Sequence, residues 1–133
     1  MDTHTPEQRS ENMRRIKAVD TAPELAVRRL LHRKGYRYGL HSAELPGKPD
    51  VLLRRYKLAV FVHGCFWHGH FCKDGRRPKS NTAYWNRKLE RNRERDGRRR
   101  SELRKLGWQT MVVWECEIDD EKRILRRLRR HTA

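Results

Sequence analysis

Two hydrophobic rhythms alternate along this chain. Between Thr21 and Gly35, apolar Leu25, Val27, Leu30 and Leu31 recur at helical spacing. Thr21 is a good N-cap, Pro23 suits the first turn, Glu24 completes a capping box, and Gly35 closes the helix. The rhythm then changes. Tyr36 to His41 reads as a strand, Leu45-Pro46-Gly47-Lys48-Pro49 as a turn, and Asp50-Val51-Leu52-Leu53 as a short strand. Pro49 costs no ladder bond at the first position of a strand. After a turn over Arg54 to Lys57, Leu58-Ala59-Val60-Phe61-Val62 is continuously apolar, the mark of a central strand covered on both faces. Residues 63–79 are irregular and rich in Gly, His and Cys. Asn81 or Thr82 caps a long helix to about Leu106, with Gly107 as its stop; Trp108 to Trp114 is another apolar strand; Asp119 and Asp120 start a last basic helix to about Arg130.

This order of elements predicts one mixed α/β domain over residues 19–133, a central sheet flanked by helices. Residues 1–18 stand apart as a polar, basic arm, with Met13 and Ile16 as its large apolar residues after the start. Such an arm either frays or orders on a polyanion. In the long helix, Trp85, Leu89, Leu103 and Leu106 form an apolar stripe that Asn92 and Asp96 interrupt. Either that stretch overhangs solvent, or the two polar side chains face a polar site.

Composition narrows the class. The 133 residues include 33 Lys and Arg against 17 Asp and Glu, a formal charge of +16. An excess of this size favours a polyanionic partner, and nucleic acid is the obvious one because neutralising phosphates releases counterions. A membrane partner is not expected, since no broad apolar helix face or spanning run is present. The N-terminus lacks an apolar leader, and three cysteines cannot all pair internally. Both point to a cytoplasmic protein with reduced thiols. No broad apolar patch is predicted, which suggests a monomer.

The candidate chemistry is concentrated in His63-Gly64-Cys65-Phe66-Trp67-His68-Gly69-His70-Phe71-Cys72. With Cys116 after the last strand, the chain offers three thiols and a choice of imidazoles, a full tetrahedral set for Zn²⁺. Spacing leaves open which histidine is the ligand. Structural zinc supplies about 10–16 kcal/mol, comparable with the roughly 5–15 kcal/mol stability of a domain, which suits a chain that is 35% hydrophobic and 38% charged. The remaining histidines suit proton transfer near neutral pH. Asp50, at the start of a strand whose neighbour leads into His63, is the leading carboxylate for a hard cation. Glu24 is either a helix cap, a helper at the site, or both. Phe66, Trp67, Tyr84 and Trp85 flank the histidine loop as core residues or as rings that stack on bases.

Together these residues resemble the very short patch repair (Vsr) endonucleases. The likeness lies in Asn12-Met13-Arg14, Asp20 to Glu24, Leu45-Pro46-Gly47-Lys48-Pro49-Asp50, Phe61 to Cys72, Asn92 to Asp96, and Leu106-Gly107-Trp108 through Cys116. It implies a restriction-endonuclease-like α/β core with a structural zinc site. It implies Mg²⁺-dependent nicking of one strand of double-stranded DNA, 5′ to the thymine of a T:G mismatch left by deamination of 5-methylcytosine. Asp50 and the main-chain carbonyl of Val62 would hold Mg²⁺, and His68 would activate water with support from His63 and Glu24. Cys65, His70, Cys72 and Cys116 would hold zinc. Phe66, Trp67 and Trp85 would wedge into the duplex, and Met13 on the arm would clasp it from the other groove. Asn92 and Asp96 would lend polar support. The resemblance also implies a bacterial cytoplasmic protein at the nucleoid, with room for other mismatch-repair proteins as partners. The acidic-x-Lys of the wider superfamily is missing from Val60-Phe61-Val62-His63, in agreement with the Vsr branch. Two alternatives are a zinc-stapled DNA-binding module without catalysis and an HNH-type nuclease whose catalytic metal sits in the loop.

Overall fold

The computed structural model describes residues 21–40, 43–70, 72 and 78–133. The expected arm over residues 1–18, with Met13, lies outside them. Helix α1 (Ala22–Arg33) starts as its sequence dictates: the Thr21 hydroxyl accepts the Glu24 N–H at 3.4 Å, and Pro23 occupies the first turn. Strand β1 is only Gly39–Leu40, and β2 is Val51–Leu53. A 3-10 turn (Arg54–Tyr56) leads into β3 (Leu58–His63). Then follow the long α2 (Thr82–Lys105), β4 (Gln109–Trp114), a 3-10 turn (Glu115–Glu117) and α3 (Glu121–Thr132).

The four strands form one mixed sheet in the order β1-β2-β3-β4. The first two pairings are antiparallel; β3 and β4 run parallel, with Val60 opposite Met111 and His63 opposite Trp114. β3 is therefore central, as its unbroken apolarity requires, and every one of its residues is buried. Its pleat divides them. Leu58, Val60 and Val62 join Val51, Leu53, Met111 and Val113 against Val27, Leu30 and Leu31 of α1 and Ile124 and Leu128 of α3. Ala59 and Phe61 face the other way and meet Leu52 and Leu103, the latter from α2. The sheet is thus sandwiched, and His63, in phase with Ala59 and Phe61, points toward α2.

Several boundaries differ from the sequence pattern for physical reasons. Of the expected strand over residues 36–41, 36–38 are not strand and Gly39–Leu40 are, in keeping with a partner β2 only three residues long, while His41 lies outside the described residues. β2 in turn begins at Val51, not Asp50: the Asp50 side chain, not its backbone, receives the Val62 N–H, at 2.7 Å. The Asn81 side chain does not cap α2; Asn81 is left-handed (φ 54°), and the Thr82 hydroxyl donates to the Lys79 carbonyl. Leu106, expected on the buried stripe, is 58% exposed. The helix has already ended there. Gly107, at φ 90°, turns the chain so that the Trp108 N–H reaches back to the Leu103 carbonyl.

Candidate active site and metal cluster

Asp50, Val62, His63 and His68 come together at one end of the sheet. Asp50 enters from the turn before β2, and His63 ends β3. His68 sits on the tight turn that follows, where the His68 N–H bonds the Gly64 carbonyl and the His70 N–H bonds the Cys65 carbonyl. The His63 and His68 rings stack in parallel with centroids 3.7 Å apart. α2 supplies the opposite wall. Its Asn92 amide donates to the Trp67 carbonyl at 2.8 Å, and Asp96 pairs with His68 Nδ1 at 2.5 Å. Of the two expectations for Asn92 and Asp96, the second describes the structure: both face the histidine loop. Gly69 adopts φ 64°, and a Cβ there would lie 2.7 Å from Cδ of Arg93, so the turn lies flush on α2.

These residues open on a cleft of about 1410 Å³, also lined by Glu24, Lys48, Lys88, Arg95, Arg99 and Arg100. Glu24 is buried and accepts a hydrogen bond from Arg28 at 3.2 Å. Burial, followed by the charge of His68, lowers the His63 pKa to about 3, so this ring stays neutral. Burial alone would raise the Asp96 carboxyl, but the hydrogen bond and charge of His68 outweigh it and hold Asp96 below its usual range. His68 Nδ1 faces a carboxylate, an arrangement that suits a proton on Nδ1 and a lone pair on Nε2. Because a strand residue's N–H and C=O point to the same side, the Val62 carbonyl lies on the edge its N–H shares with Asp50. A carboxylate beside a main-chain carbonyl is the hard-oxygen environment that Mg²⁺ prefers. Asp50 belongs to neither cluster of three or more metal-type donors among the described residues; one of those comprises His63, His68 and Asp96, and the other is the thiol cluster.

In that thiol cluster, on the other side of the loop, Cys65, His70, Cys72 and Cys116 place their ligand atoms within 4.8 Å of one another. A tetrahedral zinc with the usual Zn–S distance needs sulfurs about 3.8 Å apart, so three thiols and one imidazole fit such an ion with little adjustment. Burial pushes the Cys65 thiol up to about 12 and raises Cys116 as well, so a cation here must displace protons. The turn carrying Cys116 is fastened from below. Buried Glu117 accepts the Trp114 N–H at 3.1 Å and ion-pairs with Arg127 at 3.1 Å and Arg123 at 3.2 Å, while Arg127 also donates to the Val112 carbonyl at 2.6 Å.

Phe66, Trp67 and Trp85 form a cluster of edge-to-face rings with centroids 5.1–6.1 Å apart. Trp85 is only 8% exposed and backs the other two. The Lys88 ammonium lies over Trp67, Trp85 and Tyr84. The sequence reading passed over Lys88, although its spacing of three and four from Trp85 and Tyr84 was a usable signal. It also passed over Glu117 and Arg127, which no spacing rule connects. Trp67 Nε1 and His63 Nδ1 are buried with no hydrogen-bond partner among the described residues. Orphaned polar atoms at a cleft are where a water or a ligand completes the count.

A carboxylate at a strand end, a histidine–aspartate pair and a cationic wall are groups that phosphodiester hydrolysis can use. A solved homing endonuclease, the I-Bth0305I catalytic domain, superposes with a TM-score of 0.57 at 20% identity, covering 84% of this chain and 94% of that one. The family model for the DNA mismatch endonuclease Vsr matches residues 1–74. Among named relatives, the type II nicking enzyme V.XorIIP of Xanthomonas oryzae is 48% identical, over 96% of this chain and 94% of its own. The DNA mismatch endonuclease Vsr of Escherichia coli is 40% identical, over 92% of this chain and 79% of its own. The chain belongs to the Vsr family of DNA mismatch endonucleases and is a DNA-cleaving hydrolase with a restriction-endonuclease-like fold. Family membership sets aside the reading of a DNA-binding module without catalysis. No helix among the described residues is long and apolar enough to cross a membrane.

Proposed function

We propose that this enzyme nicks one strand of duplex DNA 5′ to the thymine of a T:G mismatch, with Mg²⁺ held by Asp50 and the Val62 carbonyl. The observation that carries the reading is the shared cleft: Asp50, His63, His68 and Glu24 all line it, with the Asp50 carboxylate anchored on Val62. The cation would supply charge neutralisation at the phosphate and a more acidic attacking water. His68 takes the proton of that water at Nε2, while Asp96 at Nδ1 fixes the ring and balances the imidazolium that forms. His63, neutral and stacked on His68, keeps the ring plane in register. Glu24 adds negative charge at the cleft wall, beside Arg28.

Zn²⁺ is assigned to Cys65, His70, Cys72 and Cys116 on the chemistry of the donor set. Phe66 and Trp67, backed by Trp85 and tied through Asn92, form the wedge that opens the mismatched step. Residues 1–18, with Met13, serve as the clasping arm, and 19–133 as the catalytic domain. The protein acts as a cytoplasmic monomer at the nucleoid, alongside other mismatch-repair proteins.

Asp50→Asn tests the assignment. With Mg²⁺ and end-labelled duplexes, its nicking rate is expected to fall by about 10²–10³-fold or more, with DNA binding retained. Cutting of the T:G duplex at the original rate would remove Asp50 from the metal site.

A further inference from the structure

We propose that Arg100 is a catalytic residue, its guanidinium gripping the non-bridging oxygens of the phosphate that is cut, from the α2 wall of the cleft. The inference rests on the nicking reading above. Its first support is a ladder along α2. Asn92, Asp96 and Arg100 follow at four-residue steps, so they share one helix face. Asn92 holds the Trp67 carbonyl and Asp96 holds His68. Arg100 is the next rung and lines the same cleft as Asp50 and His63.

The turn that delivers Asp50 meets α2 at the residue before that rung. A Cβ on Gly47 would lie 2.9 Å from Cβ of Arg99 and 3.2 Å from the Phe61 ring. This part of α2 is therefore pressed against the 45–49 turn that delivers Asp50.

The second support is charge. Arg95 ion-pairs with Asp96 at 3.8 Å, Arg93 with Glu90 at 4.0 Å, and Arg99 with Glu102 at 3.4 Å. Arg100 is half-buried, and among the described residues no carboxylate pairs with it. β2 (VLL) and β3 (LAVFVH) carry no lysine or arginine to the site. An uncompensated cation in a cleft is stabilised by an anion, and a planar guanidinium matches two phosphate oxygens at once. In the reaction, water adds to phosphorus, one of its protons passes to His68, one ester P–O bond breaks, and the leaving oxygen takes a proton from solvent water. Negative charge gathers on the non-bridging oxygens as this happens, and Arg100 is placed to meet it.

The test compares wild type, Arg100→Gln and Arg100→Lys on a T:G duplex, and on the same duplex with a neutral methylphosphonate at the position of the nick. Arg100→Gln is expected to lose about 10²-fold in single-turnover nicking, and its salt slope of binding to fall by about one. The neutral duplex is expected to weaken wild-type binding about tenfold, as loss of one charge-assisted contact does, and to leave Arg100→Gln binding nearly unchanged. Arg100→Lys is expected to recover binding but not the full rate, lacking the fork. The proposal is overturned if Arg100→Gln, with an unaltered melting temperature, nicks at the wild-type rate, or if it discriminates against the neutral duplex as strongly as wild type does. Should Arg100→Gln not fold, a fully active Arg100→Lys overturns it instead. A wild-type protein that does not nick with Mg²⁺ refutes the function proposed above, whereas an indifferent Arg100 variant refutes this inference alone.

Discussion

From the end of β3 the chain feeds two neighbouring groups of ligand-type side chains. Cys65, His70 and Cys72 meet Cys116 on one side; His63 and His68 meet Asp96 on the other. The first group is soft, with three sulfurs and one nitrogen converging on a single point. The second is partly self-satisfied: His68 is bonded to Asp96, Asp50 to the Val62 N–H, and the whole faces a wide cleft. A closed set of soft donors suits a resident ion, whereas donors that hold one another at the rim of a cleft suit a group that arrives with substrate. One short turn separates the two roles. The hydrogen bond from the His70 N–H to the Cys65 carbonyl folds those two residues to the same side, and His68 between them is turned toward α2.

Breaking the thiol side is expected to have the largest effect. Chelation, or Cys116→Ser, should lower thermal stability severely, because structural zinc contributes about 10–16 kcal/mol; calorimetry with and without added Zn²⁺ measures it. If melting is unmoved by chelation, the cluster holds no structural ion.

The cleft side should respond differently. His68→Ala is expected to slow nicking by about 10²–10⁴-fold while retaining one equivalent of zinc, read by metal analysis. Loss of zinc from that variant would move His68 to the other group.

A smaller effect sharpens the contrast through pH. The His63 pKa is depressed from 6.5 to about 3, so the unfolded chain binds the extra proton between those values. Stability should therefore fall as pH drops from 6.5 toward 3. His63→Asn should show an acid limb shallower by about one proton. The difference between the two slopes in denaturant titrations isolates His63 from protonation of the thiol cluster. Identical slopes would mean that His63 is not buried neutral.

Leu106→Ser, on the exposed end of α2, should change stability by no more than about 0.5 kcal/mol. A large loss there would show that the stripe does continue past Leu103.

How much of this was legible beforehand follows from which forces are local. The α1 cap, the buried β3 and the Gly107 stop are written in neighbouring residues, and the structure has them. The length of β1 is not, since it depends on the three residues its partner can offer. Helical spacing put Asn92 and Asp96 on the buried face of α2 but could not choose between solvent and a site; the choice is made by a loop that returns some 25 residues away to meet them. Trp85 looked equivalent to Phe66 and Trp67 because all three are aromatic, yet its seat on α2 above Leu89 buries it behind them. Arg100 is one basic residue in a run of three, and only its place in the cleft, one turn beyond Asp96 and with no carboxylate partner among the described residues, sets it apart.

The clamp beneath Cys116 has a consequence for shortening this protein. A chain cut just before Arg127 would keep every thiol, imidazole and cleft carboxylate discussed above. It would still strand Glu117, whose carboxylate is nearly sealed from water and would retain Arg123 as its remaining ion pair. The last helix is thus no dispensable tail: through one guanidinium it anchors the turn that carries Cys116, the fourth member of the thiol–imidazole cluster, to the floor of the sheet.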